Sequence, residues 1–182
     1  MTSRTSEAGP AATRELLRRT RALTATAAAL LAVQLCGNLY EQLVGNVAVL
    51  AKPQPGALVG AFDPGSPVYY YLPWAPLGVV LTAVLAARMP RLGAPPWVVR
   101  RVRAAAGAVG VAVVAKVVLI TRVNPVFRDP TLDAASVRGW AVTWALGNGV
   151  AIVAVATALV LLLSWRARLL DVPGRTRAAA EV

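Results

Sequence analysis

The chain has 182 residues, of which 57% are hydrophobic, and its formal net charge is +11. Its mean hydropathy of +0.60 indicates more apolar side chain than a soluble domain of this length buries, so we predict one membrane-embedded domain. The basic residues cluster between apolar runs, which argues against nucleic acid as a partner. The lack of histidine and the single cysteine, Cys36, exclude an internal disulfide and the histidine-based metal and haem sites. We therefore expect neither a metal nor another cofactor.

The first half of the chain contains two predicted spans. The apolar run 22–50 has no proline and is longer than the roughly 20 residues that cross the hydrocarbon layer, so it is predicted as span one. A basic segment, 1–21, precedes it, and the stretch 51–68 is rich in proline and glycine and is predicted as a loop. Span two follows at 69–87. Aromatic residues typical of a membrane interface open this span: Tyr69, Tyr70, Tyr71 and Trp74.

The second half contains two more spans. Five arginines and no acidic residue occupy 88–103, which is predicted as a connection. Span three, 104–121, is interrupted only by Lys116. Pro125 is expected to end this helix just before it, because proline disfavours helical geometry in the preceding residue. After a short polar loop, span four covers 140–165.

Basic residues are distributed unevenly between the two sides of these spans. Fourteen arginines lie before span one, between spans two and three, or after span four, and four lysines and arginines lie on the opposite side. The positive-inside rule then places the segment 1–21 and the basic tail 166–182 in the cytoplasm. The sequence thus predicts an all-α, multi-pass four-helix bundle in the plasma membrane, with both termini cytoplasmic.

Glu41, within span one, is the strongest sign of a functional site. Gln34, Asn38 and Glu41 recur at steps of three or four, so they share one helical face. A carboxylate that faces acyl chains would cost about 3 kcal/mol or more, which predicts that this face points into the bundle. Gln42 adds a further polar group beside it.

Spans three and four contribute polar groups at a similar depth. Counting about 1.5 Å per residue from the cytoplasmic ends puts Lys116 at ~18 Å, Asn148 at ~22 Å and Glu41 at ~27 Å. We therefore predict one polar pocket in the outer half of the membrane, with these three as its catalytic residues. Further residues are assigned to substrate binding in this pocket or at its mouth: Asn38, Gln42, Tyr71, Trp74, Arg122, Asn124, Trp140 and Trp144.

Several of these residues also have a purely structural interpretation. Glu41 and Lys116 would form an intramembrane ion pair that only locks the bundle, or Glu41 would be solvated at the interface. Lys116 would otherwise extend outward to water, and Trp140 would belong to an interfacial belt. The glycines within the spans are predicted to lie at helix contacts: Gly37, Gly45, Gly107, Gly110, Gly147 and Gly149.

Four short motifs resemble one known family. They are Gly37-Asn38-Leu39-Tyr40-Glu41, Ser66-Pro67-Val68-Tyr69-Tyr70-Tyr71-Leu72-Pro73, Thr121-Arg122-Val123-Asn124 and Trp144-Ala145-Leu146-Gly147-Asn148. Together they resemble the anthrone oxygenase-like family of small four-helix membrane proteins, over roughly 22–165. This resemblance implies a membrane bundle and cofactor-independent oxidation of an anthrone to an anthraquinone. It can be carried over to Asn38, Glu41, Asn124, Trp144 and Asn148. Family members often have an arginine three residues after the span-four asparagine, where this chain has Ala151.

Two enzymatic hypotheses follow from Glu41. As a general base it would remove an acidic proton from an anthrone-like phenol, and the carbanion would react with molecular oxygen without a metal. An oxyanion would then be stabilised by Lys116, Asn148 or Asn38, while Trp144 stacks on the rings. As a buried general acid, Glu41 would instead open an epoxide or protonate an olefin in a membrane terpene cyclase, with aromatic π faces stabilising the cation.

A third hypothesis is a non-catalytic membrane subunit or transporter component. A lysine close to Glu41 favours the base, isolation of Glu41 favours the acid, and an enclosed polar cavity argues against the non-catalytic role. For the enzymatic hypotheses, the expected partners are the lipid bilayer and a hydrophobic small molecule that enters from it. The sequence leaves open whether the chain forms a homo-oligomer.

Overall fold

The structure, a computed structural model, describes residues 10–54 and 68–170. Within these ranges the chain is helical and contains no β-strand. The segments of the predicted N-terminal region, first loop and basic tail that lie outside the described residues are 1–9, 55–67 and 171–182. The predicted all-α class is therefore confirmed over the part of the chain that the structure describes.

Four helices follow one another along the chain. Helix α1 consists of Pro10–Tyr40, a π-helical turn at Glu41–Gly45, and Asn46–Ala51. Helix α2 is Trp74–Arg88, and the single helical turn Val68–Tyr71 precedes it. Helix α3 consists of Pro96–Val118, a π-helical turn at Leu119–Val123, and Asn124–Phe127. Helix α4 is Ala134–Leu170.

Three of these helices are longer than the predicted spans. Helix α1 begins at Pro10, α3 begins at Pro96 and α4 begins at Ala134. More than half of 88–103, which is predicted as a connection between spans, is helical, because α2 ends at Arg88 and α3 begins at Pro96 after a short turn that contains Pro90–Leu92. Arginine is a good helix former, so a basic segment continues a helix beyond the apolar run.

Pro125 does not end helix α3, contrary to the prediction. Asn124 keeps right-handed helical geometry, with φ −60° and ψ −36°, and its amide donates to the Leu119 carbonyl. This bond spans five residues and belongs to the π-helical turn. Pro125 then lies in the first turn of the segment Asn124–Phe127, where a missing amide hydrogen costs little.

Asp133 caps the start of helix α4. Its Oδ1 accepts a hydrogen bond from the Ser136 amide at 2.8 Å, and its Oδ2 accepts one from the Ser136 hydroxyl at 2.9 Å. A side-chain acceptor three residues before an amide satisfies one of the unpaired donors at a helix start. The backbone amide and then the hydroxyl of Ser136 hold the pKa of the Asp133 carboxyl below its usual range.

The four helices pack in a ring. Helix α1 contacts α2 and α4, and α3 contacts the same two helices. One apolar cluster contains Leu31, Val102, Leu162 and Trp165, and a smaller cluster contains residues such as Val123. Glu41 in α1, Lys116 in α3 and Asn148 in α4 each lie between the part of the helix that joins the first cluster and the part that joins the second.

Much of the outer surface is apolar. Large side chains remain exposed all around the described bundle, for example Leu146 at 69% and Val160 at 66%. Three helices are long and apolar enough to cross a membrane: Arg18–Ala51, Pro96–Phe127 and Ala134–Trp165. The fourth apolar helix, Trp74–Arg88, has 15 residues, which is shorter than the predicted span two. Such a surface is typical of a membrane protein because lipid, unlike water, solvates it.

Only some of the span glycines lie at close helix contacts. A Cβ at Gly37 would lie 3.1 Å from Cε1 of Tyr71, and one at Gly147 would lie 2.8 Å from Cδ2 of Leu119. Gly78, which the sequence did not single out, packs against Leu30 and Leu31. The contact prediction is wrong for four glycines, where a Cβ would meet nothing within 4 Å: Gly45, Gly107, Gly110 and Gly149. Their helical faces do not point toward a neighbouring helix.

Candidate functional site

Two π-helical turns flank the candidate site. Glu41 begins the turn in α1, where the Asn46 amide donates to the Glu41 carbonyl. Leu119 begins the turn in α3. Each turn adds a residue to the helical register and so changes which side chains face the bundle interior. Such turns occur frequently at functional sites, and both of these contribute residues to the same cavity.

The Glu41 carboxylate binds two donors through one oxygen. Its Oε2 accepts a hydrogen bond from Nζ of Lys116 at 2.9 Å and one from the Tyr71 hydroxyl at 2.5 Å. The side chains of Glu41 and Lys116 are each 17% exposed. Tyr71 reaches this carboxylate by lying across Gly37, which has no Cβ to obstruct its ring. The cluster therefore joins helices α1 and α3 to the turn before α2.

Two aromatic rings also contact the Lys116 ammonium. Nζ lies 5.0 Å from the centre of the Tyr71 ring and 5.5 Å from the centre of the Trp144 ring. Both distances are within the range of cation–π attraction, which is strongest where water is excluded. Lys116 thus points inward to Glu41 and does not extend outward to water, so one of its structural interpretations is wrong.

Asn148 connects helix α4 to the π-helical turn of α1. Its amide nitrogen donates to the Asn38 carbonyl and to Oε1 of Gln42, both at 3.0 Å. Asn38 and Asn148 are fully buried, and neither lines the cavity. Asn148 therefore holds the backbone that carries Glu41 and does not itself face a bound molecule.

The residues around Glu41 and Asn148 form a polar layer across the bundle. Several buried polar atoms in this polar layer make no hydrogen bond within the described residues. They are Oδ1 and Nδ2 of Asn38, Oδ1 of Asn148 and Oε1 of Gln34. Buried polar groups are nearly always satisfied, and leaving one without a partner costs about 1–3 kcal/mol. Gln34 also lines the cavity, although its Oε1 is itself buried against the protein.

A cavity of about 780 Å³ adjoins this polar cluster. Its volume is within the range of small-molecule sites, which are mostly apolar and contain a few convergent polar groups. Exposed apolar residues form part of its wall: Leu72, Val80, Val117 and Ile120. The cavity therefore opens onto the apolar outer surface of the bundle.

The structure brings together only part of the predicted site. Glu41, Tyr71, Lys116, Asn124 and Trp144 line the cavity. Gln42 is adjacent, bound to Asn148. Three predicted residues have exposed side chains and do not line it: Trp74, Arg122 and Trp140.

Other cavity residues were not predicted as part of the site. Helical spacing places Gln34 on the same inward face as Glu41, and Asn46 follows Glu41 in the sequence, but neither was assigned to the site. Phe127 and Arg128 line the cavity as well. The expected end of helix α3 before Pro125 places both residues in a loop, and this wrong helix end excludes them from the predicted site.

Within residues 18–54 and 68–165, no three His, Cys, Asp or Glu side chains form a group that could hold a metal ion.

Comparison with protein-family models, with curated proteins and with solved structures finds no match to the chain. The resemblance to the anthrone oxygenase-like family therefore stays a prediction that rests on the four short motifs.

Proposed function

We propose that the chain is a membrane-embedded enzyme that binds a hydrophobic small molecule and transfers a proton through Glu41. The observation that carries this proposal is the position of the Glu41, Lys116 and Tyr71 cluster at the wall of a largely apolar cavity. Intramembrane ionisable residues mark functional sites because their burial is costly. A purely structural ion pair does not require an adjoining cavity of this size.

The contacts of Glu41 favour a base over an acid. Lys116 at 2.9 Å and the Tyr71 hydroxyl at 2.5 Å both stabilise the carboxylate form. A carboxyl group that opens an epoxide or protonates an olefin needs an apolar environment without such a cation. We therefore favour proton abstraction over the terpene cyclase hypothesis.

The proposed substrate is an anthrone-like phenol. Glu41 would accept an acidic proton, and the Lys116 ammonium would stabilise the resulting oxyanion. Trp144 lines the same wall and would pack against the substrate rings. One molecule of oxygen would then add to the carbanion, and loss of water would leave the second carbonyl of an anthraquinone.

We further propose that the chain crosses the plasma membrane four times, with both termini in the cytoplasm. Helix α2 alone would span about 22 Å, short of the ~30 Å hydrocarbon layer. The helical turn Val68–Tyr71 lies directly before it and adds length on the predicted outer side. Arg88 and Arg91 lie at the opposite end, as the positive-inside rule requires for a cytoplasmic connection.

Conversion of anthrone by the purified protein in detergent tests the catalytic proposal. Anthraquinone formation and oxygen consumption should exceed the rates without protein, and Glu41→Gln should abolish the excess. Asp129→Asn makes the same carboxylate-to-amide change at an exposed residue outside the cavity, and it should keep the parental rate. A Glu41→Gln protein with the parental rate would refute the role of Glu41, and an inactive parental protein would refute this substrate class.

The direct Glu41–Lys116 pair supports one other function, a structural lock in a non-catalytic protein. Glu41→Gln then leaves an ammonium without its partner, and the protein should lose about 3–5 kcal/mol of stability. Combining it with Lys116→Met removes both charges and should restore the melting temperature. Restored stability without any anthrone conversion by the parental protein would favour the lock.

A further inference from the structure

Lys116 presents a primary amine to an apolar cavity. The sequence contains two lysines, and the other, Lys52, is exposed beyond the end of α1. Lys116 lines the cavity wall, and its Nζ is held between the Glu41 carboxylate and the rings of Tyr71 and Trp144. A lysine amine is the side-chain group that condenses with aldehydes and ketones to form a Schiff base. In Lys116 these contacts fix the position of that amine.

Glu41 can make that amine nucleophilic by accepting its proton, so no proton has to be released to bulk water. An ion pair in a low-dielectric environment loses much of the solvation that favours its charges, so transfer of the proton from Lys116 to Glu41 becomes accessible. The transfer occurs along the existing 2.9 Å hydrogen bond. It leaves a neutral amine facing the cavity and a carboxylic acid beside it.

We propose that Lys116 forms a Schiff base with a hydrophobic aldehyde or ketone bound in the cavity, with Glu41 as proton donor and counter-ion. The amine nitrogen adds to the carbonyl carbon to give a carbinolamine. The Glu41 carboxylic acid then protonates the hydroxyl, which leaves as water as the carbon–nitrogen double bond forms. The product is an iminium on Lys116 beside the Glu41 carboxylate, so the site has the same charges before and after the reaction.

The surroundings of Nζ fit this product. The iminium N–H would donate to Oε2 of Glu41 as the ammonium does now, and the two rings would stabilise the cation by their π faces. The apolar walls would hold the remainder of the ligand and limit hydrolysis by excluding water. The inference goes beyond the proposed proton transfer and does not depend on it.

Reductive trapping with dodecanal and cyanoborohydride tests the site in the full-length protein in detergent. Intact mass and peptide mapping locate the dodecyl group. More than about 99% of a lysine amine in water is protonated at pH 7, and the protonated form does not attack an aldehyde. Early labelling should therefore be at least about tenfold greater at Lys116, whose proton passes to Glu41, than at Lys52. Glyoxylate, a charged aldehyde, should show no preference for Lys116, because the cavity opens onto an apolar surface.

Two variants separate the roles of the pair. Lys116→Arg keeps a cation beside Glu41 but forms no Schiff base, and it should lose the preferred label while Lys52 keeps its own. Glu41→Gln should label Lys116 at least about tenfold more slowly, because the proton donor is gone. The comparison of the two lysines within the unmodified protein does not depend on the folding of either variant.

Equal or greater labelling of Lys52, or the absence of label at Lys116, would overturn the proposal. Unchanged labelling of Lys116 in Glu41→Gln would overturn the role of Glu41. Anthrone conversion is measured separately, so its failure contradicts the proposed oxidation and leaves the trapping result as an independent readout.

Discussion

At the scale of single residues, the site is organised around one carboxylate oxygen, Oε2 of Glu41, which accepts hydrogen bonds from Lys116 and Tyr71. Pairing of Glu41 with Lys116 was predictable because each ion is expensive in a membrane unless it finds the other. The Tyr71 hydrogen bond was not predictable. It depends on the close approach of a ring to Gly37, and sequence spacing does not show which of several neighbouring tyrosines crosses that gap.

Tyr71→Phe removes the hydroxyl donor and keeps the ring beside Lys116. Because the lost hydrogen bond goes to a charged group, we expect a loss of about 1.5–3 kcal/mol in unfolding free energy. Tyr40→Phe is the matched control, since that ring is 61% exposed and should change stability little. Denaturant unfolding in mild detergent measures both. Equal stability of the two variants would show that the Tyr71 hydroxyl contributes nothing to folding.

At the scale of helices, the sequence predicts the apolar centres better than the ends. The positions of Lys116 and Asn148 within their helices are as expected, because long apolar runs leave little choice of structure. The ends were missed where basic residues continue a helix and where Pro125 follows a π-helical turn. A π-helical turn depends on packing against neighbouring helices, and no residue pattern in this chain predicts either turn.

Gly147 and Gly107 offer a matched test of helix packing. A Cβ at Gly147 would lie 2.8 Å from Cδ2 of Leu119, whereas one at Gly107 would meet nothing within 4 Å. Gly147→Leu should therefore destabilise the bundle by about 1–3 kcal/mol through overpacking. Gly107→Leu should be neutral or stabilising, because leucine is the better helix former. Thermal unfolding in detergent compares them, and a larger loss at Gly107 would contradict the arrangement of α3 and α4.

Asp133 gives the start of helix α4 a pH dependence. Ser136 holds the pKa of this carboxyl below its usual range. The contribution of the carboxylate to stability is therefore complete above the pKa of an unfolded aspartate, about 3.9, and is lost as the pH falls through the folded value. Asp133→Ala should lower the melting temperature at pH 7, and this difference should shrink toward pH ~3. In Asp133→Asn, whose amide oxygen still caps the helix, this pH dependence should disappear. A pH-independent effect of Asp133→Ala would show that the charge is irrelevant.

At the scale of the whole molecule, the polar layer lies between two apolar clusters and beside a cavity. The existence of such a layer was predictable, since helical spacing put Glu41 on an inward face and depth counting put Lys116 and Asn148 near it. The cavity was predictable only in part, because its walls depend on how far apart α2 and α3 lie. The short helix α2 also makes the number of membrane crossings the main question about the fold.

Cysteine accessibility tests the proposed orientation and the crossing of α3. Cys36 is exposed, so a Cys36→Ala protein is the background for single cysteines. Leu92→Cys lies in the exposed connection between α2 and α3, and Pro130→Cys lies in the exposed connection between α3 and α4. In the proposed topology the first connection, with Arg88 and Arg91, is cytoplasmic, so a membrane-impermeant thiol reagent should label Pro130→Cys in intact cells and spare Leu92→Cys.

Permeabilised cells supply the control, since both cysteines should then react to the same extent. Labelling of Leu92→Cys alone in intact cells would reverse the orientation, with the termini outside. Labelling of both from outside would mean that α3 does not cross the bilayer, despite being one of the three helices long enough to do so. That result would also remove Lys116 from the hydrocarbon layer, and with it the low-dielectric environment on which the proposed chemistry of the Glu41–Lys116 pair depends.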